Sequence, residues 1–232
     1  NEAVCEGCGD CGVKSNCLSV QPIKTEYGRK TQIDQHSCNK DYSCVEGNCP
    51  SFIQVIPSEK DDKRSLPEIN FDPSIIPNPK KIQKDVANIF MLGIGGTGVV
   101  TVNQIISTAA FIEEKKVIAL DQTGLSQKGG SVVSHLKIVS DNKEYSSRVA
   151  NGESDAYLVF DLLTGANPKN MAKLSTKNST SIISTSEIPT GDMVRSTAEE
   201  YPEASFMIAL IKEYSKDSAL LNATELSEHF FG

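Results

Sequence analysis

Ile89-Phe-Met-Leu92 runs directly into Gly93-Ile94-Gly95-Gly96-Thr97-Gly98, and apolar residues then recur through Val99, Val102, Ile105, Ile106, Ala109, Ala110 and Ile112. A short apolar run ending in glycine reads as a buried strand, and the 3.6-residue period after it reads as a helix. Strand, glycine turn and helix in this order open an α/β arrangement, so the chain from Val86 onward is read as a doubly wound α/β core. Working outward, Val117–Leu120 is a second buried strand and Val132–Val139 a third with alternating character. Tyr157–Phe160 and Ser181–Ser184 are further strands, with a helix starting near Pro168 between them. Phe206–Tyr214 and Ser218–Phe230 read as closing helices.

The loop matches G-x-G-x-x-G in the context that pattern requires. Gly93 permits a tight turn, Gly95 the close approach of a ligand, and Gly98 tight helix–strand packing. Gly93, Gly95, Gly96, Thr97 and Gly98 therefore form a candidate cofactor-binding loop for a dinucleotide, with Asp121 at the next strand end as a candidate ribose ligand. The alternative is that the glycines only permit a short crossing. One feature weighs against a simple nicotinamide site. Asp121-Gln122-Thr123-Gly124-Leu125-Ser126-Gln127-Lys128-Gly129-Gly130 is a long polar loop that enters a strand without a crossover helix. Asp121 is equally suited to orient that loop, and His135 reads as packed or partner-facing.

On the other side of the glycine loop the composition changes twice. Residues 57–85 carry Pro57, Pro67, Pro73, Pro77 and Pro79 among charges, the signature of an extended connector. Residues 1–56 hold all seven cysteines, between Cys5 and Cys49. The whole chain has 232 residues, 38% hydrophobic and 23% charged, with a net charge of −7. That acidic balance argues against nucleic acid and against a polybasic membrane surface. Ala87–Val100 is too short for a membrane span. No signal peptide precedes the cysteines, so an oxidising compartment has no support, and the start at Asn1 without Met suggests a fragment.

The cysteines fall in two blocks, Cys5-Glu-Gly-Cys8-Gly-Asp-Cys11 with Cys17, and Cys38, Cys44 and Cys49-Pro50. In two-cluster ferredoxins the fourth cysteine of each run, often followed by proline, ligates the other cluster. Applied here, Cys5, Cys8, Cys11 and Cys49 hold one four-iron cluster. Cys17 joins Cys38 and Cys44 at the second, where Asp41 occupies the position of the missing thiol. A carboxylate is a hard ligand, so this iron is expected to be weakly held and the cluster to interconvert between four-iron and three-iron forms. Three alternatives stand beside this scheme: a zinc knuckle, a small stapled fold, or a single cluster with Asp41 a solvated acid. His36 reads as a surface residue rather than a ligand.

At these residues the chain resembles a known family. The two cysteine blocks, with Cys38-Asn-Lys-Asp41-Tyr-Ser-Cys44, are similar to the ferredoxin-like segment of indolepyruvate ferredoxin oxidoreductases. Gly93–Gly98, Asp121–Gly130 and Glu187-Ile-Pro-Thr-Gly-Asp192 resemble their γ-type 2-oxoacid oxidoreductase domain. The resemblance implies a ferredoxin-like segment at 1–56, a linker at 57–85 and a Rossmann-like γ-type domain at 86–232 that is incomplete at its C-terminus. It also implies a fused chain that oxidatively decarboxylates aryl 2-oxoacids to acyl-CoA, with CoA as co-substrate and ferredoxin as electron acceptor. Thiamine diphosphate and magnesium would lie in upstream domains outside these residues, so the fragment alone is expected to be inactive. A cytoplasmic location and a homo-oligomeric full-length enzyme are further implications. The family's γ-type domains are not known as nucleotide sites, which favours a role for the glycine loop against the thiamine-bearing domain. A self-contained NAD(P)- or flavin-dependent electron-transfer protein remains the alternative. Lys24, Arg29 and Lys30 are a candidate ferredoxin-docking patch.

Overall fold

The computed structural model describes residues 1–35, 37–56, 72–75, 84–125, 129–196 and 198–231. Most of the expected connector, His36 and Ser126-Gln127-Lys128 lie outside the described residues. The chain forms two compact units. One comprises residues 1–63, 126–129 and 187–203, and the other the remaining stretches.

The first unit carries the cysteines. Helix α1 (Asp10–Ser15) is followed by an antiparallel hairpin of β1 (Val20–Thr25) and β2 (Gly28–Ile33), registered by Val20 opposite Ile33 and Thr25 opposite Gly28. Thr25 Oγ1 donates to the Gly28 carbonyl at 2.8 Å and closes the turn. A short 3₁₀ turn follows at Ser43–Gly47.

The second unit is an α/β sandwich on a six-stranded sheet. Its strands are β3 (Val86–Ile94), β4 (Lys116–Thr123), β5 (Ser131–Val139), β6 (Ala156–Val159), β7 (Thr180–Ser184) and β8 (Asp217–Leu221). They lie in the order β4-β5-β3-β6-β7-β8. The pairs β3–β6, β6–β7 and β7–β8 are parallel, while β5 runs antiparallel to both β3 and β4. The short return from β4 to β5 explains this: parallel neighbours need a crossover of a dozen or more residues, and a hairpin does not.

Helix α2 (Val99–Ile112) covers one face of the sheet. Met91, Val99, Val132 and Leu136 form a buried cluster there, flanked by Ile89, Val102, Val117 and Leu158. Alternation along β6 sends Tyr157 and Val159 to the opposite face. There Gly165 of α3 (Leu162–Gly165) packs so close that a Cβ would lie 2.5 Å from Val159 Cγ1 and 3.4 Å from Ile211 Cδ1 of α6 (Ala204–Glu213). Helices on both faces make the core doubly wound, as expected. Helix α4 (Pro168–Met171) begins at its proline, capped by Asn167 Oδ1 accepting from the Lys169 N–H at 3.0 Å. Helix α5 (Gly191–Arg195) belongs to the first unit.

Two sequence expectations change. Residues 218–230 are not one helix. Asp217–Leu221 adds β8 to the sheet edge, with Ala219 opposite Ile182, and α7 (Ala223–Phe231) starts only afterwards. Sheet pairing overrides the helical preference of Ala219, Leu220 and Leu221. The second correction is that β4 is an exposed edge strand rather than a buried one, because it pairs with β5 alone. Among the described residues no helix is long and apolar enough to cross a membrane.

Candidate metal centre and glycine loop

All seven cysteines are free thiols. Tight backbone turns hold them: Gly7 and Gly9 have φ of 70° and 78°, and Asn16, Lys40, Tyr42 and Asn48 also take left-handed conformations. At Gly7 a side chain is excluded, since a Cβ would sit 2.2 Å from the Arg29 carbonyl oxygen. The Gly7 N–H donates to Cys5 Sγ at 3.3 Å.

The thiols fall into two sets in space. Burial pushes the Cys11 thiol up, and the nearby Cys5 and Cys8 act in the same direction, against hydrogen bonding from the Gly12 backbone and Thr31. Cys49 lies on a turn that the chain start ties to the Cys5 loop. Its Sγ lies 3.0 Å from Ser51 Oγ, and the Asn1 amino group donates to the Ser51 carbonyl at 2.8 Å. The Asn1 carbonyl in turn accepts from the Cys5 N–H at 3.1 Å. The second set surrounds Cys44, whose thiol is also raised, first by burial and then by Cys38, Cys17 and Asp41. Asp41 Oδ1 accepts from the Ser43 N–H at 3.1 Å and from Ser43 Oγ at 2.8 Å, which folds it back toward the Cys44 turn.

Among the described residues no three His, Cys, Asp or Glu side chains meet at single-ion distance. A lone zinc needs its thiolates within about 2.3 Å of one point, whereas an iron–sulfur cluster spreads its thiolates over separate irons. The donor set, soft thiolates in two groups on glycine-bent loops, fits iron–sulfur clusters.

Arg29 and Lys30 are committed internally rather than forming a free patch. Arg29 Nη1 donates to the carbonyls of Ser196 (2.7 Å) and Glu199 (3.0 Å), Nη2 to that of Met193, and Lys30 Nζ to that of Cys5. Lys24 lies 3.9 Å from Glu200 with both side chains exposed.

The glycine loop lies in the second unit, at the carboxyl end of β3. From β3 the chain crosses by α2 to β4 on one side, and from β6 it crosses by α3 and α4 to β7 on the other. The ends of β3 and β6 therefore flank the topological switch point. Gly93 is required by packing: a Cβ there would lie 2.4 Å from Thr97 Oγ1, 2.6 Å from Val99 Cγ2 and 3.1 Å from Phe160 Cβ. Gly96 and Gly98 instead have φ of 102° and 81° with nothing within 4 Å of an added Cβ. The Gly95 N–H donates to the Gly130 carbonyl at 2.9 Å and the Thr97 N–H to that of Ile94 at 3.1 Å, so both amides serve the loop itself. Asp121 accepts from Asn103 Nδ2 at 2.7 Å and from Ser134 Oγ, tying α2 to the sheet. With β5 between β3 and β4, Asp121 is not on the strand next to the glycine loop.

Sequence reasoning missed Asp161, at the carboxyl end of β6. It is fully buried, its Oδ2 caps α3 through the Thr164 N–H at 2.7 Å, and its Oδ1 has no hydrogen-bond partner among the described residues. Burial raises its carboxyl pKa against the Thr164 hydrogen bonds. The Asp161-Leu-Leu-Thr164 stretch after an apolar run is the signal that could have found this cap.

The family described as pyruvate ferredoxin/flavodoxin oxidoreductase matches residues 88–232. Two curated proteins named indolepyruvate oxidoreductase subunit IorB are similar to this chain, from Methanothermobacter thermautotrophicus and Archaeoglobus fulgidus. Each is 29% identical, over 140 and 141 residues, covering 60% and 61% of this chain and 68% and 67% of theirs. Among solved structures, pyruvate oxidoreductase subunit PORC from Thermotoga maritima has a TM-score of 0.41 at 16% identity, covering 62% of this chain and 66% of that one. The 2-oxoglutarate:ferredoxin oxidoreductase from Magnetococcus marinus has a TM-score of 0.42 at 17% identity, covering 63% and 21%. The cysteine-bearing residues 1–56 lie outside the family match.

Proposed function

The chain belongs to the pyruvate ferredoxin/flavodoxin oxidoreductase family, and from that premise we propose that it is the electron-transfer and γ-type portion of an aryl 2-oxoacid ferredoxin oxidoreductase. What supports the reading is that one unit holds seven free thiols, with Cys5 and Cys8 near Cys11 and with Cys17, Cys38 and Asp41 near Cys44. Cys5, Cys8, Cys11 and Cys49 hold one four-iron cluster, and Cys17, Cys38, Asp41 and Cys44 the other. When bound, such clusters supply one-electron transfer. The residues of this chain bend the ligand loops, bring the Cys49 turn to the Cys5 loop through Asn1, and orient Asp41 through Ser43. The whole enzyme oxidatively decarboxylates an indolepyruvate-like acid to an acyl-CoA and passes electrons to ferredoxin. The thiamine diphosphate and magnesium sites lie on other domains, which are this chain's partners. The names of its relatives support the substrate class. The commitments of Gly95, Thr97 and Asp121 within the fold favour a structural or partner-facing glycine loop over a dinucleotide site.

Anaerobic isolation with iron and sulfide analysis and EPR tests this reading. About eight irons per chain are expected for two four-iron clusters. Asp41→Ala should leave the first cluster intact and give a three-iron signal from the second. Four irons in the parent chain would overturn the second cluster, and stoichiometric zinc without iron would overturn both.

A further inference from the structure

Residues 187–203 fall inside the stretch that matches the family, yet they pack within the cysteine-bearing unit. Two contacts make the grip. The first is steric. Helix α5 meets α1 where no side chain fits: a Cβ on Gly12 would lie 2.7 Å from the Val194 carbonyl oxygen and 2.8 Å from Val194 Cγ1. Gly12 directly follows Cys11, so this seat lies beside a thiol. Val194 is only 6% exposed, one of the few aliphatic side chains this unit buries among the described residues.

The second contact is polar. The last carbonyls of a helix have no intrahelical donors, and that end carries partial negative charge. The Arg29 guanidinium answers both needs at α5. Its planar fork reaches the carbonyls of Met193, Ser196 and Glu199 at once. A lysine ammonium is a point charge without that fork. The Thr190 side chain caps the other end of α5, accepting from the Met193 N–H at 3.3 Å. The segment is thus held closed at both ends, and one of those holds comes from β2.

We propose that residues 187–203 are a docking strap, the surface by which the α/β chain holds a cysteine-bearing hairpin, with Gly12 as its seat and Arg29 as its latch. The partner it fits is a short hairpin that presents an arginine to the carbonyls of and after α5, beside a helix with a glycine at the point of contact. In this protein the chain supplies that partner itself. The connector between the cysteines and β3 then raises local concentration, while the attachment is non-covalent. Arg29 is a positioning residue, acting on the ligand loop through α5. The proposal goes beyond the cluster reading and does not need it.

The test uses the full chain, isolated anaerobically, with a protease recognition sequence introduced into the connector and iron measured on the same sample. After complete cleavage the two pieces are expected to co-elute on size exclusion. Arg29→Ala should weaken their association at least tenfold, and Arg29→Lys should fall between. Val194→Ala, which leaves the hairpin untouched, should weaken it in the same direction. Separation of the parent pieces on cleavage would overturn the strap, as would unchanged association in both R29A and V194A. Hydrogen exchange on the uncut R29A chain separates latching from unfolding. Faster exchange at residues 190–199 with β1–β2 still protected supports the latch, and equal loss in both overturns it. Iron-free pieces that stay together would count against the clusters while upholding the strap.

Discussion

Met91, Leu92, Leu136, Tyr157 and Ile183 of the α/β unit are wholly out of water, whereas the aliphatic side chains buried in the cysteine-bearing unit are Val20 and Val194, among the described residues. The larger unit is held by apolar burial, at roughly 1.5–3 kcal/mol for each large side chain. The smaller one is held by glycine seats and an arginine fork. The same protein therefore uses two kinds of cohesion, and they should fail under different insults.

Stripping metal should produce the largest difference. Chelation under mild oxidation, or Cys11→Ala, is expected to abolish exchange protection in β1–β2 and leave β3, β5 and β6 protected. Equal loss in both units would break the contrast. Next in size is Leu136→Ala, expected to cost about 2–5 kcal/mol in the thermal unfolding of the α/β unit, with iron content unchanged.

A pH effect of similar scale belongs to the α/β unit alone. His135 is 3% exposed, and its Nδ1 accepts from the Val149 N–H at 3.0 Å. Burial, then the charges of Lys173, Arg148 and Lys137, lower its pKa from 6.5 to about 4. Between those values the unfolded chain binds a proton that the folded one excludes. Stability therefore falls as pH drops from 6.5 to about 4, by up to roughly 3 kcal/mol, and this contribution is constant outside that window. His135→Gln should flatten the dependence, measured by denaturant unfolding at several pH values.

Gly93→Ala forces a Cβ into Thr97 and Val99, and should cost about 1–3 kcal/mol in urea unfolding. A stability unchanged by that substitution would return the glycine to a ligand role. At the small end, Lys24→Ala should leave the melting temperature unchanged, because the Lys24–Glu200 pair is solvated.

The sheet was largely legible because its signals are local. Ile89–Leu92 alternates into two packed faces, Pro168 opens α4, and the glycine turn leads into α2. The missing crossover after Asp121 weighs, in the sequence, against a nicotinamide site; its structural counterpart is the antiparallel return into β5. The β8 strand was hidden because Ser218-Ala-Leu-Leu221 has no preference of its own for a strand. Asn222-Ala-Thr-Glu225 was the overlooked cue. The Glu225 N–H donates to Asn222 Oδ1 at 3.1 Å and Asn222 Nδ2 to Glu225 Oε2 at 3.2 Å, a reciprocal cap that fixes where α7 begins. The hairpin at 20–33 carries Pro22 and little alternation, so it gave no strand pattern. The assignment of the thiols to two sets came from ferredoxin spacing; in the fold Cys5 and Cys8 lie near Cys11, and Cys17, Cys38 and Asp41 near Cys44. The role of Arg29 was out of reach, since its acceptors are backbone atoms far along the chain and a carbonyl leaves no mark in sequence.

The strap also sets a timetable. The cysteine-bearing hairpin leaves the ribosome well before residues 187–203, and at roughly 5–20 residues per second the delay is about ten to thirty seconds. Throughout that interval Gly12 has no Val194 against it and the carbonyl-seeking face of Arg29 meets only water. The seat and the latch are therefore complete long before the strap that uses them exists.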